Sequence, residues 1–198
     1  MMRTIFGSIL GAVVALAWMY VSWSFLSWHD IGVKKFKNPS FVSWALTQNC
    51  ESNGVYMIPQ LKGDRETESP KEISEALENR DEEMKAGPLI RSHVTLQGVD
   101  PMSTRHFIYS FLTYFVTAII LSSLMLMVDE AASYSKRLCF CTLFGLGAGI
   151  IGQIPNCNWF APSMSYAFIM IIDSMVTWFL AGVVIGWIIK PSDEGERF

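Results

Sequence analysis

The sequence predicts a mainly α-helical integral membrane protein: a four-transmembrane-helix bundle with a small α+β extramembrane domain inserted between the first two spans. Three observations predict it. The 198 residues are 51% hydrophobic and only 17% charged, with a mean hydropathy of +0.31, and that charge fraction is well below the roughly 25% of ordinary soluble domains. Four apolar runs punctuate the chain, the longest of them near the roughly 20 residues that carry a helix across about 30 Å of hydrocarbon. Finally, 12 of the 18 acidic residues fall within one stretch, His29–Thr104, between the first and second runs.

The first span occupies residues 1–28. Its apolar run begins at Ile5 behind Arg3 and Thr4. Ala15 and Ala17 make an A-x-A pattern that would suit a signal peptide, but the run stays apolar through Trp28, too long for a signal core, so an uncleaved helix is expected. Trp18, Tyr20, Trp23, Phe25 and Trp28 suit a membrane interface, and Gly7, Gly11 and Ala15 recur every four residues, which gives the helix a close-packing face.

Residues 29–104 read as a water-facing domain outside the cytoplasm. Asn38 and Pro39 supply an N-cap and a first-turn proline for a short helix to about Gln48, expected to bury Phe41, Trp44 and Ala45. GVYMIPQL, residues 54–61, reads as a strand, and 62–68 as a polar loop. Ser69 and Pro70 repeat the cap-plus-proline signal for a helix closed by Gly87 and Pro88, and PLIRSHVTLQG alternates like a partner strand. Two strands and two helices are marginal alone, so this domain should lean on the membrane helices or a partner.

The remaining spans are expected at about 107–128, 138–154 and 166–189, within residues 105–189, followed by a cytoplasmic tail, 190–198. The second carries Tyr109, Ser110, Thr113, Tyr114 and Thr117 in its first half. The third is rich in glycine, Gly145 and Gly149 sharing a face, and a turn built on Pro155, Asn156 and Asn158 leads to the fourth. Basic residues favour the cytoplasmic side. Arg3, Lys136, Arg137, Lys190 and Arg197 all fall on the side of the termini, which places both termini in the cytoplasm; Lys34, Lys35 and Lys37 oppose this.

Asp173 is the sharpest feature. An acid in the middle of the fourth span costs about 2.5–3.5 kcal/mol unless it turns towards a protein partner. At 100° per residue Tyr166 and Thr177 share its face, whereas Gly182 and Gly186 lie nearly opposite, a second face suited to a contact elsewhere. Tyr20, Ser22, Thr113, Tyr114 and Thr117 are expected at similar depth, with no basic residue among them, so the acid should be protonated or held by hydroxyl donors. It serves either as a proton or cation relay or as a hydrogen bond that fixes packing. The lack of a second ionisable group at that depth favours packing.

Other motifs carry less. GAGIIG, Gly147 to Gly152, matches a dinucleotide fingerprint but lies within a span, without the strand and helix such a site requires. Cys50 and Cys157 fall on the same expected side and form a candidate disulfide; Cys139 and Cys141 read as packing residues. His29 and His106 read as markers of the membrane interface. The histidines have no ligand spacing, so no metal, cofactor or catalytic residue is expected. A net charge of −3 without a basic stripe excludes nucleic acid as a partner.

The order of features, a first span ending SWHD, then SNGVYMIP, GPLIRSHVTLQG, IPNCNW and an acid in the last span, resembles small inner-membrane proteins of bacteria. That resemblance implies a bacterial inner-membrane location and brings no activity. The expected function is therefore that of a non-enzymatic accessory or structural subunit. It would contact membrane lipid and dock onto other membrane protein subunits or onto itself. The alternative is a small transporter or channel component using Asp173.

Overall fold

The computed structural model describes residues 2–60, 69–128, 133–160 and 163–189. In chain order the elements are α1 (Met2–Phe25), a 3-10 segment (Ser27–Gly32), α2 (Pro39–Asn49), β1 (Gly54–Ile58), α3 (Pro70–Ala86), β2 (Ile90–Val94), α4 (Thr104–Val128), α5 (Tyr134–Phe160) and α6 (Met164–Ile188). Four of these, α1, α4, α5 and α6, are long and apolar enough to cross a membrane. The chain divides into two compact units, residues 1–33 with 100–198, and residues 34–99.

In the first unit α6 is the central helix. It lies against α5 on one side and α1 on the other; α4 lies against α1 and touches α5 lightly. Small residues set these approaches. A Cβ on Gly11 would come within 2.6 Å of Ile185 on α6, one on Gly145 within 2.7 Å of the Ser174 carbonyl oxygen, and one on Gly149 within 2.9 Å of the Ile171 Cα. Gly7 and Gly186 continue the same faces at ordinary contact distances of 3.4 and 3.5 Å.

The face of α6 bearing Gly182 and Gly186 is therefore not the spare surface its position opposite Asp173 suggested. A Cβ on Gly182 would lie 2.5 Å from that of Cys141, so the face is occupied by α5. A central helix has neighbours on both sides, and its two packing faces satisfy both within one chain. The buried cluster they close comprises Ala15, Ala118, Leu121, Met125, Cys141, Trp178, Ala181, Ile185 and Ile189.

Hydrogen bonds pin the same contacts. Ser8 and Ser122 share one at 3.1 Å between α1 and α4, Ser174 donates to the Gly145 carbonyl at 2.8 Å, and Arg137 Nε donates to the Gly186 carbonyl at 3.0 Å. In hydrocarbon, where water offers no competing partner, bonds of this kind stabilise helix pairs by about 0.6 kcal/mol on average.

α5 departs from expectation at both ends. It begins at Tyr134 and continues through Pro155 to Phe160 in place of the expected turn. Proline removes one backbone donor and blocks the carbonyl four residues back, yet the helix runs on for five residues beyond it. The Asn156 side chain donates to the Gly152 carbonyl at 2.8 Å, which reinforces the helix at the proline.

The second unit is locally well specified. Asn38 caps α2 by accepting from the Phe41 amide at 3.0 Å. Ser69 and Glu72 form a reciprocal capping box at the start of α3, and Gly87 ends that helix with φ 69°. The hydrogen bonds from Ser69 hold the Glu72 carboxyl below its ordinary value. β1 and β2 pair antiparallel, Gly54 opposite Val94 and Ile58 opposite Ile90. The interior is thin. Cys50, Pro59 and Val94 are its buried apolar side chains among the described residues, and Phe41 and Trp44, expected inside, are 61% and 59% exposed. The unit is too small to cover them. The expected polar loop at 62–68 lies outside the described residues.

Candidate functional site in the helix bundle

Asp173 is buried near the first third of α6, at 8% exposure. Thr177, one turn on, donates its hydroxyl to the Asp173 backbone carbonyl at 2.7 Å, so the carboxylate is served from other elements. Trp18 Nε1 and Ser22 Oγ of α1 both donate to Oδ1 at 2.8 Å. Their i, i+4 spacing puts both donors on one face of that helix.

The second ionisable group comes from the 3-10 segment. After Leu26 the chain leaves the helix, Gly32 packs directly onto the backbone of Tyr166, and His29 is folded inward to 5% exposure. Its Nε2 lies 3.0 Å from Ser22 Oγ and 4.0 Å from Asp173 Oδ2. This corrects two sequence readings: His29 is a core residue, not an interface marker, and Asp173 does have a titratable partner. An apolar run ending in Trp, Ser, Trp and His reads like an interface belt; the reversal that buries the histidine leaves no periodic trace.

Proton positions follow from donor counts. The Ser22 hydroxyl has one hydrogen, and it goes to Asp173. Ser22 Oγ must then accept from His29 Nε2 as well as from Trp28 Nε1, which is 3.1 Å away. Nδ1 of His29 is buried and has no hydrogen-bond partner among the described residues. Trp23 stacks on the imidazole at 3.9 Å with planes 9° apart, and Trp28 meets it edge-on at 5.5 Å. The imidazole thus lies between an aromatic face and a carboxylate, with the Ser22 hydroxyl bonded to both polar groups.

Ser, His and Asp also compose hydrolytic triads, but not in this order. Here the serine lies between the other two, donates to the acid and is fully buried, so no acyl group can reach its oxygen.

The remaining candidates lie as follows. Tyr114 of α4 is half-buried, its ring 6.4 Å from that of Trp178. Thr113 and Thr117 donate to carbonyls of their own helix, Tyr109 and Thr113, at 2.8 and 2.9 Å. Tyr20 points outward against Phe25 and Phe107. Asp173 is therefore held by α1 and the 3-10 segment, not by the hydroxyls of α4. Cys50, Cys139, Cys141 and Cys157 are free thiols. Gly147 and Gly152 face open space on α5, and the described residues contain no cluster of metal-ligating side chains. No protein-family model matches the chain, and no curated protein or solved structure shows significant similarity to it.

Proposed function

We propose that this protein is a small, non-enzymatic transporter or channel component that takes up and releases a proton at the Asp173–His29 pair. The observation that carries this reading is the buried imidazole 4.0 Å from the Asp173 carboxylate, with the Ser22 hydroxyl between them. A relay needs a group that can exist both with and without its proton. Lone buried acids meet that need poorly, whereas an acid–imidazole pair has a counter-charge for either state. In this reading the spans lie in a bacterial inner membrane, both termini are cytoplasmic, and residues 34–99 form an α+β domain outside.

The test is proton flux into liposomes containing the purified protein and a trapped pH-sensitive dye, under an imposed pH gradient. Wild-type protein should dissipate the gradient, and Asp173→Asn and His29→Gln should each reduce the rate by about tenfold or more, as loss of a proton-transfer group does. Wild-type vesicles no leakier than protein-free ones would sink the proposal.

One observation favours a second reading, an accessory subunit that docks onto a larger membrane complex or self-associates. Phe41 and Trp44 of the second unit are exposed beside a thin interior, a surface that a partner could cover. Mass spectrometry after extraction in mild detergent decides this; a strictly monomeric protein would count against it.

A further inference from the structure

The first half of α4 carries polar side chains that neither the helix packing nor the Asp173 shell uses. His106, Tyr109, Ser110, Thr113 and Tyr114 line a cavity of about 300 Å³. At 100° per residue these side chains and Thr117 fall within one stripe, on the flank of the face by which Ala118, Leu121 and Met125 enter the core. Polar groups at bundle depth face protein or water in preference to lipid. The Thr113 and Thr117 hydroxyls are satisfied by their own backbone, so the stripe presents oxygen atoms without needing a protein partner. At its inner limit stands Tyr114, whose ring lies 6.4 Å from that of Trp178, five residues along α6 from Asp173. Other titratable groups nearby are His106 at the outer limit and the exposed Asp30, next to His29.

Resting on the proton-site reading above, we infer that this cavity is water-filled and is the route by which protons reach the Asp173–His29 pair, with Tyr114 as the last polar group before the carboxylate. Along α4 the stripe begins at His106, near the first residue of the helix, and beyond it Ala118, Leu121 and Met125 belong to the core cluster.

The test uses full-length protein in phospholipid nanodiscs, with the native thiols removed by Cys50→Ser, Cys139→Ser, Cys141→Ala and Cys157→Ser. Thr113→Cys is compared with Leu112→Cys, an exposed position about 100° round α4 and only about 1.5 Å away along the axis. A membrane-impermeant, charged thiosulfonate reacts with thiolate, which forms where water solvates it. Thr113→Cys should therefore react faster than Leu112→Cys by about tenfold or more. Equal slow rates would overturn a wet cavity.

The second measurement reads the route. Protonation of His29 should quench emission of the stacked Trp23, and His29→Gln should remove that response. After a pH jump, the quenching should be slowed about tenfold by the charged adduct on Thr113→Cys and left unchanged by the same adduct on Leu112→Cys. Fast labelling with an unslowed pH jump would overturn the route while leaving the proton site intact. Absence of any His29-dependent quenching would overturn the proton site itself, and the route with it.

Discussion

At Asp173 two donors, Trp18 and Ser22, converge from the first span, and each loses its acceptor if the carboxylate goes. Asp173→Ala should therefore destabilise the bundle by about 3–5 kcal/mol, the range for breaking a buried charged pair. Asp173→Asn keeps an oxygen for Trp18 and Ser22 and should cost less. The informative quantity is the coupling between Asp173→Asn and His29→Gln, measured as a double-mutant cycle by denaturant unfolding in micelles. If the imidazole and carboxylate act as one unit the coupling should be about 2 kcal/mol, and a spectator histidine would give none. Thr113→Val serves as the control, because that hydroxyl bonds only its own helix; its cost should stay within about 0.5 kcal/mol. Part of this site was legible in sequence. An acid within an apolar run must find a partner, and the depth estimate placed Ser22 near it. His29 was not legible, because its burial depends on a chain reversal after Leu26 that follows from the packing of Gly32 onto Tyr166.

Helices supply the next scale. Periodicity shows which residues share a face of one helix, so Gly7 with Gly11, Gly145 with Gly149 and Gly182 with Gly186 were legible as three close-packing faces. It does not show which helix meets which, and here all three faces meet within the chain: the first two seat on α6, and the third receives α5. Pro155 was misread for a related reason. In water a proline flanked by asparagines ends a helix, whereas an apolar setting penalises the exposed backbone groups that a turn would create. The glycine assignments make a paired prediction. At Gly145 a Cβ would meet the Ser174 carbonyl at 2.7 Å and Trp178 Cβ at 2.8 Å, while at Gly147, two residues on, nothing lies within 4 Å. Gly145→Val should destabilise the protein by about 1–3 kcal/mol through overpacking, and Gly147→Val should be neutral or slightly stabilising. Thermal unfolding in detergent followed by circular dichroism separates them. Equal losses would mean that α5 turns another face to α6.

For the whole molecule, the distribution of buried side chains decides how the two units depend on each other. Every residue of the core cluster, and every partner of Asp173 and His29, belongs to residues 1–33 or 100–198. The other unit has caps, turns and strand pairing of its own but few buried apolar side chains. Local signals of that kind are legible in sequence, and they fix where helices begin and end. They do not supply the burial that makes a fold stable, since two strands and two short helices enclose little apolar area. Replacing residues 34–99 with a flexible Gly/Ser linker should therefore leave the helical bundle folded, with His29-dependent quenching of Trp23 retained. A linker of about 20 residues, averaging roughly 25 Å end to end, gives the chain room to cross between Val33 and Asp100 without strain. The excised segment on its own should show a broad, non-cooperative melt and rapid amide exchange. If instead the shortened protein loses the quenching while its helix content survives, the second unit would be what holds His29 in place, and the proton site would be a property of the intact chain and not of the bundle alone.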